Sequence, residues 1–165
     1  MEFLIISAGS TRCWTILMDL KWTLKIRPTG AVWGSFFRSL RYFQLMSKYG
    51  DVPWIENVIG ENDTDVLYGP RTPRDEVAAN ILRDLEEAEK NIKPAGDGNN
   101  TINQKVVQAL ISRFALFEGT WRKYHGLNNA EKYLQACADY SKKLIDAVPN
   151  VADSYELLFT SESLA

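Results

Sequence analysis

At 165 residues, with 45% hydrophobic and 24% charged content, the chain can build one globular domain with a sizeable core, and its composition excludes a disordered polypeptide. Nineteen basic residues oppose twenty-one acidic ones for a net charge of -2, which gives no electrostatic case for nucleic acid as a partner. Two cysteines are too few for a disulfide framework, and no run approaches the ~20 apolar residues of a spanning helix.

Residues 1–30 carry mixed signals and form an uncertain N-terminal segment. Ile16, Leu17, Leu20 and Leu24 allow a helix, whereas Trp22, Leu24 and Ile26 alternate like a strand. Glu2 puts an acidic residue where a signal peptide wants basic ones. Arg12 beside Cys13 argues against lipidation there, because a bacterial lipoprotein acceptor Cys follows small uncharged residues. Pro28, Thr29 and Gly30 are expected to end this segment.

A helix is expected over about 31–49. Trp33, Phe36, Phe37, Leu40, Phe43 and Met46 recur at steps of three and four, and Arg38, Arg41, Gln44 and Lys48 lie on the other side. Gly50 can take the left-handed conformation that stops a helix, and Pro53 blocks a restart. Residues 50–71 then form a long loop rich in Gly, Asn, Asp and Pro; since it carries Trp54, Tyr68 and Arg71, it is read as an ordered surface loop.

Thr72-Pro73-Arg74-Asp75 opens the next helix, with Thr72 as its expected cap. Val77, Ile81, Leu85, Ala88 and Ile92 mark its apolar face, and Pro94 to Asn100 is a turn segment. A third helix runs from about Asn103 to Lys123, with Val107, Leu110, Ile111, Phe114, Phe117 and Trp121 on its apolar face. His125-Gly126-Leu127-Asn128-Asn129 breaks it. A fourth carries Tyr133, Cys137, Tyr140, Leu144 and Val148 and stops at Pro149, with a short element expected at Tyr155–Phe159. The chain is therefore all-α: helical hairpins of tetratricopeptide type, with Ala136, Tyr140 and Pro149 near the small, aromatic and Pro positions of such a repeat. Stacked hairpins need neighbours to cover their outer faces, so a chain ending at Ala165 after a partial apolar element looks cut.

The helix containing Phe36-Phe37-Arg38, followed by the Tyr49-Gly50-Asp51-Val52-Pro53-Trp54 turn, resembles the SusD/RagB family of outer-membrane nutrient-binding lipoproteins. Arg71 and Thr72 opening a helix with Ile81, Asp84, Leu85 and Ala88 follow in the family's order. So does the Asn103–Trp121 helix with Ala109, Arg113 and Gly119. The resemblance covers roughly residues 31–160 and makes 31–165 a partial, incomplete SusD-like α-superhelix. It implies a surface-exposed protein of the outer membrane of Bacteroidetes. Such proteins are anchored by a lipid, cap a TonB-dependent SusC-like transporter, and bind a glycan or oligosaccharide for uptake without chemistry. No lipoprotein leader is recognisable in this sequence, nor is the family's C-terminal part.

Each candidate residue has two readings. Trp33, Phe36, Phe37, Phe43, Phe114 and Trp121 could stack on sugar rings, but their helical spacing favours core. Trp54 and Tyr68 are ligand or partner contacts in a loop, or plugs that pack it down. Arg38, Arg41 and Arg71 could meet an acidic sugar, or belong to solvated faces. Arg71 joins Trp54 and Tyr68 as the candidate ligand-binding set. Asp51 is expected to accept bonds from turn amides. Asp84, Glu86, Glu87 and Glu89 are read as one exposed, cation-paired face, not as a carboxylate pair for glycoside cleavage. Cys137 reads as a small buried hydrophobe, and His125, the single histidine, as a surface residue. No catalytic residue, metal ligand or cofactor motif is identified. The rival readings are a tetratricopeptide-like adapter for proteins, a glycoside hydrolase, and a truncated remnant without function.

Overall fold

The computed structural model describes residues 27–57, 59–60, 62–96 and 101–149. The readings at Cys13, elsewhere in 1–26 and at Tyr155–Phe159 lie outside them. Among the described residues the chain is helical, with one isolated antiparallel bridge between Val52 and Thr72. The helices are α1 (Arg27–Tyr49), α2 (Thr64–Leu67), α3 (Arg74–Asn91), α4 (Gln104–Tyr124) and α5 (Ala130–Ala147). They fall into two compact units, Met1–Lys93 and Pro94–Ala165.

In the first unit α1 packs on α3. Arg38 meets Asp84 while Met46 meets Arg74, so the two helices run antiparallel. The helix begins earlier than the sequence suggests. Pro28 lies in its first turn, where its missing N–H has no intrahelical partner to lose. It stops at Gly50, whose φ of 71° is open to a residue without Cβ and whose N–H donates to the Met46 carbonyl at 3.0 Å. Phe36, Tyr42 and Met46 of α1 are buried, as are Val77, Ile81, Leu85 and Ala88 of α3. Burial of each large apolar side chain contributes ~1.5–3 kcal/mol. Phe37, by contrast, is exposed and meets Phe36 edge to face. Two consecutive positions lie 100° apart around a helix, so Phe36 and Phe37 cannot both point into one narrow core.

Two polar positions are also placed differently from the sequence reading. Arg38 and Asp84 are 5% and 3% exposed, and they form an ion pair across the helix interface. Arg38 stands one turn before Tyr42 and two before Leu45, which puts it on the buried row rather than with Arg41. Asp84 likewise lies between Ile81 and Leu85 on the apolar stripe. Glu89 is buried too, so the acidic run is split between faces.

The second unit is a helical hairpin. Ser112 faces Ser141, and Gly119 faces Leu134, so α4 and α5 run antiparallel. Asn103 caps α4 by accepting from the Val106 N–H at 3.1 Å. A Cβ built on Gly119 would stand 2.8 Å from the Leu134 side chain and 3.1 Å from its backbone nitrogen. The absent side chain is what lets the helices close. Below that contact Phe114 meets Tyr133 edge to face, and the Arg122 guanidinium lies over the Tyr133 ring at 4.9 Å. Arg122 is buried, bonds Glu118 within its own helix at 2.9 Å, and donates to the Asn128 carbonyl. Asn129 then takes a left-handed conformation to start α5.

The outer face of this hairpin is more open than the sequence suggests. Trp121 is 38% exposed and stacks on His125 at 4.0 Å. Of α5 only Tyr133 is fully buried. Cys137 is a half-buried free thiol beside the Ser112 and Ser141 hydroxyls rather than a core residue.

Candidate functional site

The site is built by the segment between α1 and α3, which is fixed at several points. The Tyr42 hydroxyl donates to the Pro53 carbonyl at 3.0 Å and accepts from the Ile55 N–H at 2.9 Å, which clamps the turn onto α1. The Trp54 N–H donates to the Thr72 hydroxyl at 3.0 Å. Thr72 therefore serves the loop and does not cap α3. Asp51 caps it instead, accepting from the Arg74 N–H at 2.8 Å across 23 positions of sequence. The Asp51 carboxylate binds an amide as expected, but a helical one.

Trp54 lies in the middle of this scaffold. Its ring sits 4.3 Å from that of Tyr42, and the Arg38 guanidinium lies 5.5 Å from its centre. Its indole N–H donates to Glu56 Oε1 at 2.9 Å, and Arg83 donates to the same oxygen at 2.8 Å. Arg83 also donates to Asp84 Oδ1, while Arg38 takes Asp84 Oδ2. A continuous polar chain thus runs from the buried Arg38–Asp84 pair through Arg83 and Glu56 to the Trp54 edge. The bond from Trp54, then that from Arg83, lowers the Glu56 pKa below its usual value. Glu56 is therefore held as a carboxylate, the opposite of what a general acid requires.

Beside this chain is a cavity of about 640 Å³, lined by Trp54, Ile55, Glu56, Asn57 and Ile59 of the loop, Asp63, Val66 of α2, and Glu76, Asn80 and Arg83 of α3. That volume is in the range of small-molecule sites, ~300–1,000 Å³. Glu76, Asn80 and Arg83 follow at helical steps of four and three, so one face of α3 forms a wall.

Of the three candidate ligand residues, Trp54 is on the cavity wall. Tyr68, 86% exposed, and the exposed Arg71 do not line it. Sequence reasoning missed Glu56, Asn80 and Arg83. Among the described residues no His, Cys, Asp and Glu group is arranged to hold a metal ion, and no helix is long and apolar enough to cross a membrane.

Neither a family model nor a curated protein sequence matches this chain. Solved structures do. A SusD-like protein from Bacteroides fragilis superposes with a TM-score of 0.77 at 17% identity, over 97% of this chain and 30% of that one. A SusD superfamily protein from Parabacteroides distasonis gives 0.75 at 24% identity, over 94% and 32%. A structure solved with a xylogluco-oligosaccharide gives 0.76 at 16% identity, over 98% and 32%. The fold is that of SusD-like proteins, and the chain spans about a third of the length of the structures it matches.

Proposed function

We propose that this chain is the helical part of a glycan-binding protein of SusD type, acting at the outer-membrane surface in nutrient uptake beside a TonB-dependent transporter. The observation that carries this reading is the superposition of nearly the whole chain on SusD-like structures, one of them solved with a xylogluco-oligosaccharide. Binding without chemistry fits the cavity, where the carboxylate nearest the aromatic wall is tied to Trp54 and Arg83. Trp54 is the first proposed sugar contact, and Tyr68 and Arg71 are proposed contacts nearer the loop's exposed end.

Retardation in native gels containing polysaccharide tests the binding. Slowed migration in at least one glycan is expected, and unaltered migration in every glycan would sink it. For the partner, a tagged chain expressed in its own cell should co-purify with an outer-membrane transporter. Recovery of a soluble protein in its place would favour a tetratricopeptide-like adapter, the reading to which the hairpin of α4 and α5 lends itself.

A further inference from the structure

The wall of the cavity has a charge and hydrogen-bond pattern that bears on the kind of glycan. Among the described residues three carboxylates line it, those of Glu56, Asp63 and Glu76, against one cation, Arg83. An anionic ligand would meet a net negative wall. Glu56 uses Oε1 for both of its bonds to described residues, leaving Oε2 as an acceptor. Arg83 uses Nε and one Nη in the same way, leaving the other Nη as a donor. Among the described residues the Asn57 and Asn80 amides make no side-chain hydrogen bond, and each offers a donor and an acceptor. Sugar hydroxyls both donate and accept, so this set suits them. Trp54 and the apolar Ile59 and Val66 offer surface to the C–H face of a pyranose.

The Glu56–Arg83 pair is also held in place before any ligand arrives. Glu56 is pinned by the indole N–H, and Arg83 by the buried Asp84 carboxylate, which Arg38 fixes from the other helix. Residues fixed in this way lose little further freedom on binding.

The geometry points to this cavity as a subsite for a neutral, hydroxyl-rich oligosaccharide, held by Asn57, Asn80 and the Glu56–Arg83 pair against Trp54. The inference rests on the glycan-binding reading and adds the place and the charge class of the ligand.

The test is affinity electrophoresis of the full chain at mildly acidic pH in xyloglucan, in polygalacturonate and in chitosan, which are then neutral, anionic and cationic. Wild type is compared with Asn57→Ala, Asn80→Ala and Glu76→Lys, and circular dichroism melts check that each variant folds. Selective retardation by xyloglucan is expected, weakened about tenfold in each Asn→Ala variant, the equivalent of one or two lost hydrogen bonds. Glu76→Lys is expected to raise binding to polygalacturonate. Retardation by xyloglucan unchanged in both Asn variants would overturn the cavity while leaving glycan binding intact. Preference for polygalacturonate or chitosan would overturn the charge class. Wild type unaffected by any of the three polymers would overturn the subsite, and only silence across a wider glycan panel would remove the broader reading.

Discussion

The two helical pairs solve the same packing problem with different tools. Helices α4 and α5 are joined by a short turn, so their pairing is set by proximity, and a close approach at Gly119 finishes it. Their buried ion pair, Glu118 with Arg122, lies within one helix, and its guanidinium reaches on to the Asn128 carbonyl and the Tyr133 ring, a few positions further along the chain. Helices α1 and α3 are separated by the long segment 50–73, so their register needs marking from within. Arg38 and Asp84 mark it, because either charge buried against the wrong neighbour would be uncompensated. The same pair then carries the wall of the cavity through Arg83. A local hairpin can rely on proximity and a close fit; a distant pair that also builds a site adds an ion pair between its helices.

The strongest way to break this contrast is to remove one half of the interhelical pair. Arg38→Ala leaves the Asp84 carboxylate, among the described residues, with Arg83 alone, and should cost ~3 kcal/mol in urea unfolding. The double variant Arg38→Met/Asp84→Leu should recover most of that loss, while the cavity loses its support. If the single variant costs under 1 kcal/mol, by the same scale of buried pairs, the marking argument fails. In the hairpin the matching test is steric. Gly119→Ala should cost ~1–3 kcal/mol, with Leu134→Ala in the same chain returning part of it. A neutral Gly119→Ala would show that the helices separate freely.

The elements were legible where a signal is local. Periodicity marked α1, α3, α4 and α5, and Gly50 and Asn103 gave correct stops and starts. The interhelical charges were not legible, because Arg38 and Asp84 stand on the buried rows of their helices while a count of charges puts them with the solvated residues. The loop ties were hidden for another reason. Asp51 with Arg74, and Tyr42 with Pro53 and Ile55, join residues with no periodic relation. Trp54 was visible as an aromatic in a loop. Asn80 and Arg83 were not, because on α3 they read as an ordinary polar face until the loop folds over it.

Tyr42→Phe sharpens the comparison on the side of the loop. It deletes the hydroxyl shared by the Pro53 carbonyl and the Ile55 N–H, both held close to the buried ring. A loss of ~1–2 kcal/mol is expected, with faster amide exchange at Ile55 but unchanged exchange in α4 and α5. Equal acceleration in both pairs would show that they unfold as one and would remove the distinction between them.

The smallest effect is expected at Glu56, and its sign is fixed. Bonds from Trp54 and then Arg83 lower its folded-state pKa, so its contribution is complete above the unfolded value of a glutamate and is lost as the pH falls through the lowered one. The side chain is nearly half exposed, so screening keeps the contribution below about 1 kcal/mol. Stability of wild type minus that of Glu56→Gln should therefore shrink on acidification through the carboxylate range and stay flat at neutral pH. Indole fluorescence should change over the same interval, because the Trp54 N–H loses its anionic partner. A difference that grows on acidification would mean that the protonated acid is the preferred form. The cavity would then be poised for proton transfer, and the case for binding without chemistry would have to be rebuilt from the other carboxylates on its wall.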